Sequence, residues 1–200
     1  MINNLQEHPE KLREVLDKTL HRFKNNLQTQ LSLMNIQSAT NRNYFDDRKV
    51  IVDRIFALTY LYDLFYKSNK EEDLPTDTFI SLQSYLLQFL QYLKSSTSEI
   101  DFELIDTSLS KVEVDDLLIL AYILVEMNDF RMSLNDRLSL EFGHNTKNLS
   151  LKFSYSSIEN HEKFYNLFEK EFKIFDLLVK QLKGKFDYKR KFVRLSFPIL

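Results

Sequence analysis

The sequence predicts an α+β protein in two parts, an antiparallel helical hairpin followed by a small sandwich of helices on a mainly antiparallel sheet. Apolar residues recur at steps of three and four in the first third of the chain, which is the spacing of amphipathic helices. After residue 100, short runs alternate apolar and polar residues, as strands do. The charged stretch 69–75 between them ends in proline and is typical of a linker. We therefore expect domains at residues 1–70 and 76–200.

The N-terminal part predicts an intermolecular four-helix bundle. A first helix is expected from about Pro9 to Thr40, a turn at 41–43 and a second helix over 44–68. Each helix carries one apolar stripe, and a single hairpin cannot bury both, so we expect a second copy of the chain to complete a homodimer. The stripes contain Leu20, Phe23, Leu27, Leu31 and Met34 in the first helix, and Val50, Ile51, Ile55, Leu58, Leu61, Leu64 and Phe65 in the second.

The second domain predicts helices at one face of a sheet. Thr76 or Asp77 is expected to cap its first helix, and Gly184 to stop its last one. The tripeptide 143–145 (Gly-His-Asn) suits a hairpin loop. The predicted helices span 77–93, 114–132 and 160–183, and the predicted strands span 100–105, 137–142, 149–155, 185–188 and 192–197.

The composition excludes several classes of function. A net charge of −2 over 200 residues gives no reason to expect nucleic acid or an anionic membrane as a partner. No cysteine is present, which excludes disulfides, thiol nucleophiles and thiolate metal sites. Two glycines and no G-x-G exclude a glycine-rich phosphate loop. Because no signal-peptide pattern and no apolar run of about 20 residues occur, we expect a cytoplasmic protein.

One face of the first helix carries the candidate site. His21, Asn25 and Gln28 follow one another at helical spacing, and Arg22 and Lys24 flank the histidine. On residue types alone, the simplest interpretation is a solvated helix face, and the alternative is an imidazole that accepts a phosphoryl group between two cations. The other histidines stand singly in polar stretches without metal-ligand spacing, so no metal site is predicted.

A resemblance favours the second interpretation. Residues 21–28 (His-Arg-Phe-Lys-Asn-Asn-Leu-Gln) resemble the H-box of the sensor histidine kinases whose dimerisation segment reads H-R-x-K-N-N-L-Q. Residues 54–58 and 64–68 resemble the second helix of that segment, and residues 177–184 and 195–198 resemble the end of the ATP-binding domain. The resemblance implies a dimerisation and phosphotransfer hairpin followed by a histidine-kinase-ATPase-like α/β sandwich.

The chain departs from this family in the elements that hold ATP. The family has an asparagine-bearing helix, in a pattern like E-L-x-x-N-A-x-K-H-A, for Mg²⁺ and phosphates. If Glu126 is its glutamate, Phe130 replaces the asparagine, and if Asn128 is the asparagine, Leu124 replaces the glutamate. The D-x-G-x-G box and the glycine-rich lid have no counterpart between residues 153 and 175. We therefore expect a degenerate ATP-binding domain.

A phosphoacceptor hairpin joined to a degenerate kinase domain is similar to the histidine phosphotransferases of phosphorelays. The resemblance implies that His21 accepts and donates a phosphoryl group between response-regulator receiver domains, without a cofactor of its own and with Mg²⁺ supplied by the receiver. An antiparallel turn near residue 43 also brings the early sixties opposite His21. Supporting roles are therefore expected for Arg22, Lys24, Asn25 and Gln28, and partner contacts for Tyr62 and Tyr66.

Two alternatives remain at this stage. One is a divergent but active sensor histidine kinase, which would bind ATP directly. The other is a non-catalytic dimeric scaffold that binds response regulators and never carries a phosphoryl group on His21.

Overall fold

The computed structural model describes residues 3–39, 44–68, 79–96, 100–104, 111–134, 137–144, 148–155, 174–189 and 192–198, some of them, among these 3–16 and 66–68, in the backbone only. In chain order the described elements are α1 (Asn3–Ala39), α2 (Tyr44–Ser68), β1 (Phe79–Ser81), α3 (Leu82–Ser96), β2 (Ile100–Leu104), β3 (Lys111–Glu113), α4 (Val114–Leu134), β4 (Leu138–His144), β5 (Asn148–Tyr155), α5 (174–181), β6 (Lys185–Lys189) and β7 (Phe192–Pro198).

The N-terminal helices agree with the predicted pair. Helix α2 has the predicted bounds, whereas α1 begins at Asn3 and not near Pro9. Proline is best accommodated in the first turn of a helix, because inside a helix it removes one backbone hydrogen bond. For this reason the predicted start of α1 was placed at Pro9, which is too late. The predicted turn at 41–43 and linker at 69–75 lie outside the described residues.

Helix α4 lies at the centre of the fold and is mainly apolar around its circumference. Its residues 117–128 are all buried, as expected for a helix that packs on more than one neighbour. On one side it packs against α2, which buries Val50, Ala57, Leu58 and Leu61. On the other side α4 and α5 cover the sheet. The hairpin and the C-terminal part therefore share one hydrophobic core.

The sheet has five strands in the order β2-β4-β5-β7-β6. Three pairs are antiparallel, as predicted, and β2 pairs with β4 in parallel. The parallel pair follows from the crossover through α4, which returns the chain in the same direction. Alternate residues face the helices, so that Leu140, Phe153 and Val193 stand side by side in register and are buried.

Two very short strands, β1 and β3, form a separate antiparallel ribbon that the sequence analysis did not predict. Because residues 79–81 are extended, α3 begins at Leu82, and the predicted start at 76 or 77 is wrong. Its cap is Ser81, whose Oγ accepts a hydrogen bond of 3.3 Å from the backbone N–H of Ser84.

The glycines act differently from the sequence-based expectation. Gly143 and His144 pair with Ser150 and Leu149 inside the β4–β5 ladder and so belong to the strand, and residues 145–147 lie outside the described residues. At the end of α5, the left-handed residue is Lys183, with φ 52°, and not Gly184. The N–H groups of Lys183 and Gly184 donate to the carbonyls of Lys180 and Val179, which is a Schellman motif shifted by one residue. The remainder of the predicted helix 160–183, before residue 174, is outside the described residues.

Candidate functional site

Helix α1 presents the candidate phosphoryl acceptor to solvent. His21, Lys24, Asn25 and Gln28 are all exposed. The amide Nδ2 of Asn25 is 3.1 Å from the imidazole Nδ1 of His21, one turn earlier. Residues four apart lie on the same face of a helix, so this contact orients the ring along the helix. The second ring nitrogen, Nε2, is not part of this contact.

Arg22 does not join His21 but reaches the C-terminal part of the chain. Its Nε is 3.6 Å from Oδ2 of Asp115, in the first turn of α4, and the two side chains are 27% and 46% exposed. An exposed pair of this kind contributes about 0–1 kcal/mol. Arg22 therefore links the candidate site to α4, which the sequence pattern did not indicate.

The opposite face of α1 is polar and buried against α2. Asn26 is 6% exposed, and its Nδ2 donates a hydrogen bond of 3.2 Å to the hydroxyl of Tyr62. The Tyr62 ring contacts Phe23 edge to face, with centroids 5.8 Å apart. Burial is the main cause that raises the pKa of Tyr62, against the opposing effect of the Asn26 hydrogen bond. Tyr62 thus packs within the hairpin near the histidine, and the side chain of Tyr66 lies outside the described residues.

An apolar strip of α1 remains uncovered in the single chain. Leu20 and Leu31 are 56% and 58% exposed, and Phe23 and Leu27 are each 42% exposed. On α2, Val52 and Ile55 are each 50% exposed, although Ile55 belongs to the predicted stripe. Large apolar side chains that are exposed next to one another are typical of an interaction surface. We call these six side chains the apolar strip.

Helix α4 contains the two polar residues that the sequence comparison raised as candidates for a nucleotide site, and both are buried. Glu126 is 2% exposed and forms an ion pair with Arg54 of α2, which is fully buried. Asn128 is 2% exposed, and its Oδ1 accepts a hydrogen bond of 3.2 Å from Nε of Arg131. Both side chains are thus engaged in contacts within the chain.

The space around α4 is small and apolar. A cavity of about 10 Å³ lies between α4, α5 and the sheet, which is room for about one water molecule. Among the described residues, no group of three or more histidine, aspartate or glutamate side chains is placed to hold a metal ion. The cavity is lined by Ile123, Met127, Phe153, Phe175, Val179, Phe186, Val193 and Leu195.

A helical hairpin with an exposed histidine, followed by an α/β sandwich, is the arrangement of elements that the comparisons with solved structures address. The fold matches that of the histidine kinase domain from the Erythrobacter litoralis EL346 blue-light activated histidine kinase, with a TM-score of 0.56 and 16% identity, over 97% of this chain and 96% of that one. It also matches the Erythrobacter litoralis EL346 blue-light activated histidine kinase itself, with a TM-score of 0.57 and 16% identity, over 96% of this chain. This chain spans 60% of that longer structure.

The sequence agrees with the fold. Residues 19–97 match the model of the histidine kinase family, a range that contains the H-box at 21–28. No curated protein gives a significant sequence match. The family match covers α1 from residue 19, α2 and α3 up to its end, and the structural match covers nearly the whole chain. Within the described residues, none of the helices has the length and apolar character that crossing a membrane requires.

Proposed function

We propose that this chain is a histidine phosphotransferase of a phosphorelay, which accepts a phosphoryl group on His21 and passes it between receiver domains without using ATP. The proposal is supported by a difference in solvent exposure between the histidine and the residues of the candidate nucleotide site. The histidine of the H-box is exposed on a long helix, whereas Glu126 and Asn128, the candidates for the nucleotide site, are each 2% exposed.

The environment of α4 supports a carrier that lacks ATP chemistry. In the family that the H-box resembles, this helix supplies an acidic residue and an asparagine to Mg²⁺ and phosphates. Here Glu126 is paired with Arg54 and Asn128 with Arg131. The cavity of about 10 Å³ beside α4 is far below the roughly 300 Å³ of an ordinary ligand pocket. Among the described residues, the engagement of both side chains and the small size of this cavity support a chain that does not use ATP.

The proposed reaction needs little from the chain beyond a positioned imidazole. One ring nitrogen attacks the phosphorus of an acyl phosphate on the receiver; the new N–P bond forms as the P–O bond to the receiver's carboxylate breaks, and that carboxylate keeps the electron pair. Such transfers depend mainly on positioning and charge neutralisation. The receiver supplies Mg²⁺, and the exposed ammonium of Lys24 adds positive potential on the same helix.

We propose further that the protein acts as a homodimer. The apolar strip on α1 and α2 is the surface that a second copy would cover, since two hairpins with such strips form a four-helix bundle. In this arrangement His21 lies on the side of α1 and stays outside the bundle core, because it is about 100° from Leu20 around the helix.

The proposal is tested by two labelling reactions. The purified protein is incubated with γ-labelled ATP and Mg²⁺ in one, and with a receiver domain already phosphorylated by another kinase in the other. We expect acid-labile label only from the receiver, none on the His21→Ala variant, and normal labelling of a His8→Ala control. Label that persists on His21→Ala would reject the assignment of the acceptor.

The second candidate is an active histidine kinase, which the family match at 19–97 and the fold both favour. It predicts label from ATP alone and saturable binding of Mg²⁺–ATP in a calorimetric titration. A dimer that binds receivers equally well with and without His21, and takes label from neither source, would instead indicate a scaffold.

A further inference from the structure

Arg22 follows the candidate phosphoryl acceptor directly in the sequence, yet its contact is with the C-terminal part of the chain. Its Nε lies 3.6 Å from Oδ2 of Asp115, in the first turn of α4. Both charges act on the hydroxyl of Tyr62: after burial, which is the main cause, Asp115 raises the pKa of Tyr62 and Arg22 lowers it. The pair therefore lies where α4 meets the hairpin, one residue from His21.

The beginning of α4 is rich in carboxylates, which makes Asp115 dependent on a cation. Burial raises the pKa of Asp116, and the charges of Glu113 and Asp115 raise it further. Oδ1 of Asp115 is buried and, within the described part of the chain, has no hydrogen-bond partner. Oδ2 is the oxygen that faces Arg22. Arg22 thus compensates the charge of Asp115, and Asp115 in turn directs the guanidinium towards α4.

A phosphoryl group on His21 offers the same guanidinium a second partner. Such a group carries about −1.5 to −2 charges at neutral pH, and the planar fork of an arginine binds phosphate oxygens in pairs. Arg22 stands about 100° around the helix from His21, and its long side chain can turn towards either partner. Its pair with Asp115 is partly exposed, and pairs of this kind are weak. The phosphoryl group also repels the Asp115 carboxylate.

We propose that Arg22 changes partners with the state of His21: it pairs with Asp115 while the histidine is free, and with the phosphoryl group once the histidine is loaded. Asp115 is then a positioning residue that acts through Arg22 and sets how firmly the chain holds the phosphoryl group. A carrier has to release its phosphoryl group as well as accept it, and competition by Asp115 favours release. The proposal rests on the proposed function.

The first test loads His21 chemically, without a receiver or ATP. The full-length protein is treated with phosphoramidate: the N–P bond to the imidazole forms as the P–N bond of the reagent breaks, and ammonia leaves with the electron pair of that bond. His21→Gln, treated in the same way, is the control for loading of other histidines. The protein is labelled with ¹⁵N at arginine, and NMR follows the Nε–H signal of Arg22, which is identified by its loss in Arg22→Lys.

Asp115→Asn should shift the Arg22 signal in the free protein and have a much smaller effect in the loaded protein, because Arg22 has then left Asp115. Loading itself should shift the signal in the wild type and not in His21→Gln. An equal effect of Asp115→Asn in the two states, or no effect in the free protein, would overturn the proposal.

The second test measures the equilibrium of phosphoryl exchange between the chain and a phosphorylated receiver. Asp115→Asn should raise the equilibrium constant for loading of His21 about fivefold, which corresponds to about 1 kcal/mol, because the competing carboxylate and its repulsion are removed. Arg22→Gln should lower this constant. The gain from Asp115→Asn should shrink when Arg22→Gln is also present, since only the direct repulsion then remains to be relieved.

The matched control is Asp176→Asn, which makes the same change of charge in the exposed pair of Asp176 with Lys180 in α5 and should leave the equilibrium unchanged. An increase in loading is a result that damage to the fold would not produce, so an unchanged or lowered constant in Asp115→Asn would refute the role of Asp115. A wild type that no receiver loads would refute the proposed function, and the phosphoramidate experiment would still decide whether Arg22 changes partners.

Discussion

Arg54 of α2 and Glu126 of α4 form an ion pair from which solvent is excluded, with side chains 0% and 1% exposed. The pair joins the N-terminal helical hairpin to α4, the most deeply buried helix of the described chain. Near it, the hydroxyl of Tyr85 donates a hydrogen bond of 3.2 Å to the carbonyl of Ala57. The C-terminal part of the chain is thus attached to α2 by buried polar contacts as well as by the apolar core.

Removing one member of this pair should destabilise the protein strongly. Glu126→Leu leaves the Arg54 cation buried without its carboxylate partner, and the expected loss is about 3–5 kcal/mol in urea unfolding. The double variant Arg54→Met/Glu126→Leu should recover most of that loss, because neither position then carries a buried charge. Lys180→Ala is the matched control, since Lys180 and Asp176 form an exposed pair worth at most about 0.5 kcal/mol. Similar losses of stability in Glu126→Leu and Lys180→Ala would contradict the conclusion that burial makes the Arg54–Glu126 pair important.

The contrast between α2 and the Arg54 pair shows what the sequence could predict. The bounds of α2 follow from local signals, an apolar stripe between two polar turns, and were predicted to the residue. The partner of Arg54 lies 72 residues away, and no local pattern connects the two positions. The strands β1 and β3 have three residues each, which is too short for an alternating pattern to be recognised.

The candidate site likewise has some contacts that the sequence could predict and others that it could not. The spacing of His21 and Asn25 places both on one helix face, and the structure brings their side chains into contact. The partner of Arg22, Asp115, could not be predicted, because it depends on how α4 packs against the hairpin. Asn26, buried on the inner face of α1, was also missed, although its position opposite the apolar strip is a recognisable signal.

The apolar strip should control dimerisation. Leu27→Asp/Leu31→Asp places charges at two exposed positions, 42% and 58% exposed in the single chain, so the fold of each chain should survive. Burying one leucine contributes about 1.5–3 kcal/mol, and the dimer should weaken by at least about 100-fold in sedimentation equilibrium. Leu58 is unsuitable for this test, because it is 4% exposed and belongs to the core of the chain itself.

The control for dimerisation is Ser32→Asp, which places one negative charge on the exposed polar face of α1, next to Leu31 in the sequence. This variant should remain as dimeric as the wild type. Circular dichroism spectra of all three proteins should agree. A double leucine variant that stays dimeric would show that the strip is not the interface.

Tyr92 should make the stability of the fold sensitive to alkaline pH. Burial, together with the hydrogen bond of 2.8 Å that its hydroxyl donates to Oδ1 of Asp53, raises the pKa of Tyr92 to about 12. The unfolded chain loses this proton near its ordinary pKa of 10.0, so stability falls as the pH rises from about 10 to 12. Tyr92→Phe should cost about 1 kcal/mol at pH 7 through the lost hydrogen bond.

The same variant should lose less stability than the wild type between pH 8 and pH 11 in urea unfolding. Part of the alkaline loss should remain, because burial also raises the pKa of Tyr60, Tyr62, Tyr85 and Tyr122. Parallel pH curves for the two proteins would contradict the assignment to Tyr92.

Two adjacent substitutions at the end of α5 should act in opposite directions. Lys183 has φ 52°, and a left-handed residue with a side chain costs about 1–2 kcal/mol. Lys183→Gly should therefore raise the free energy of unfolding by about 0.5–1 kcal/mol. Two effects make this gain smaller than the left-handed cost: the attraction between Lys183 and Asp116 is lost, and glycine has more freedom in the unfolded chain.

Gly184→Ala should lower the free energy of unfolding by about 1–3 kcal/mol, since the added Cβ would lie 2.9 Å from the carbonyl oxygen of Ser196 in β7. Thermal and urea unfolding of both variants beside the wild type measure the two signs. A destabilising Lys183→Gly would contradict the left-handed conformation of residue 183, and a stabilising Gly184→Ala would contradict the close approach of residue 184 to β7.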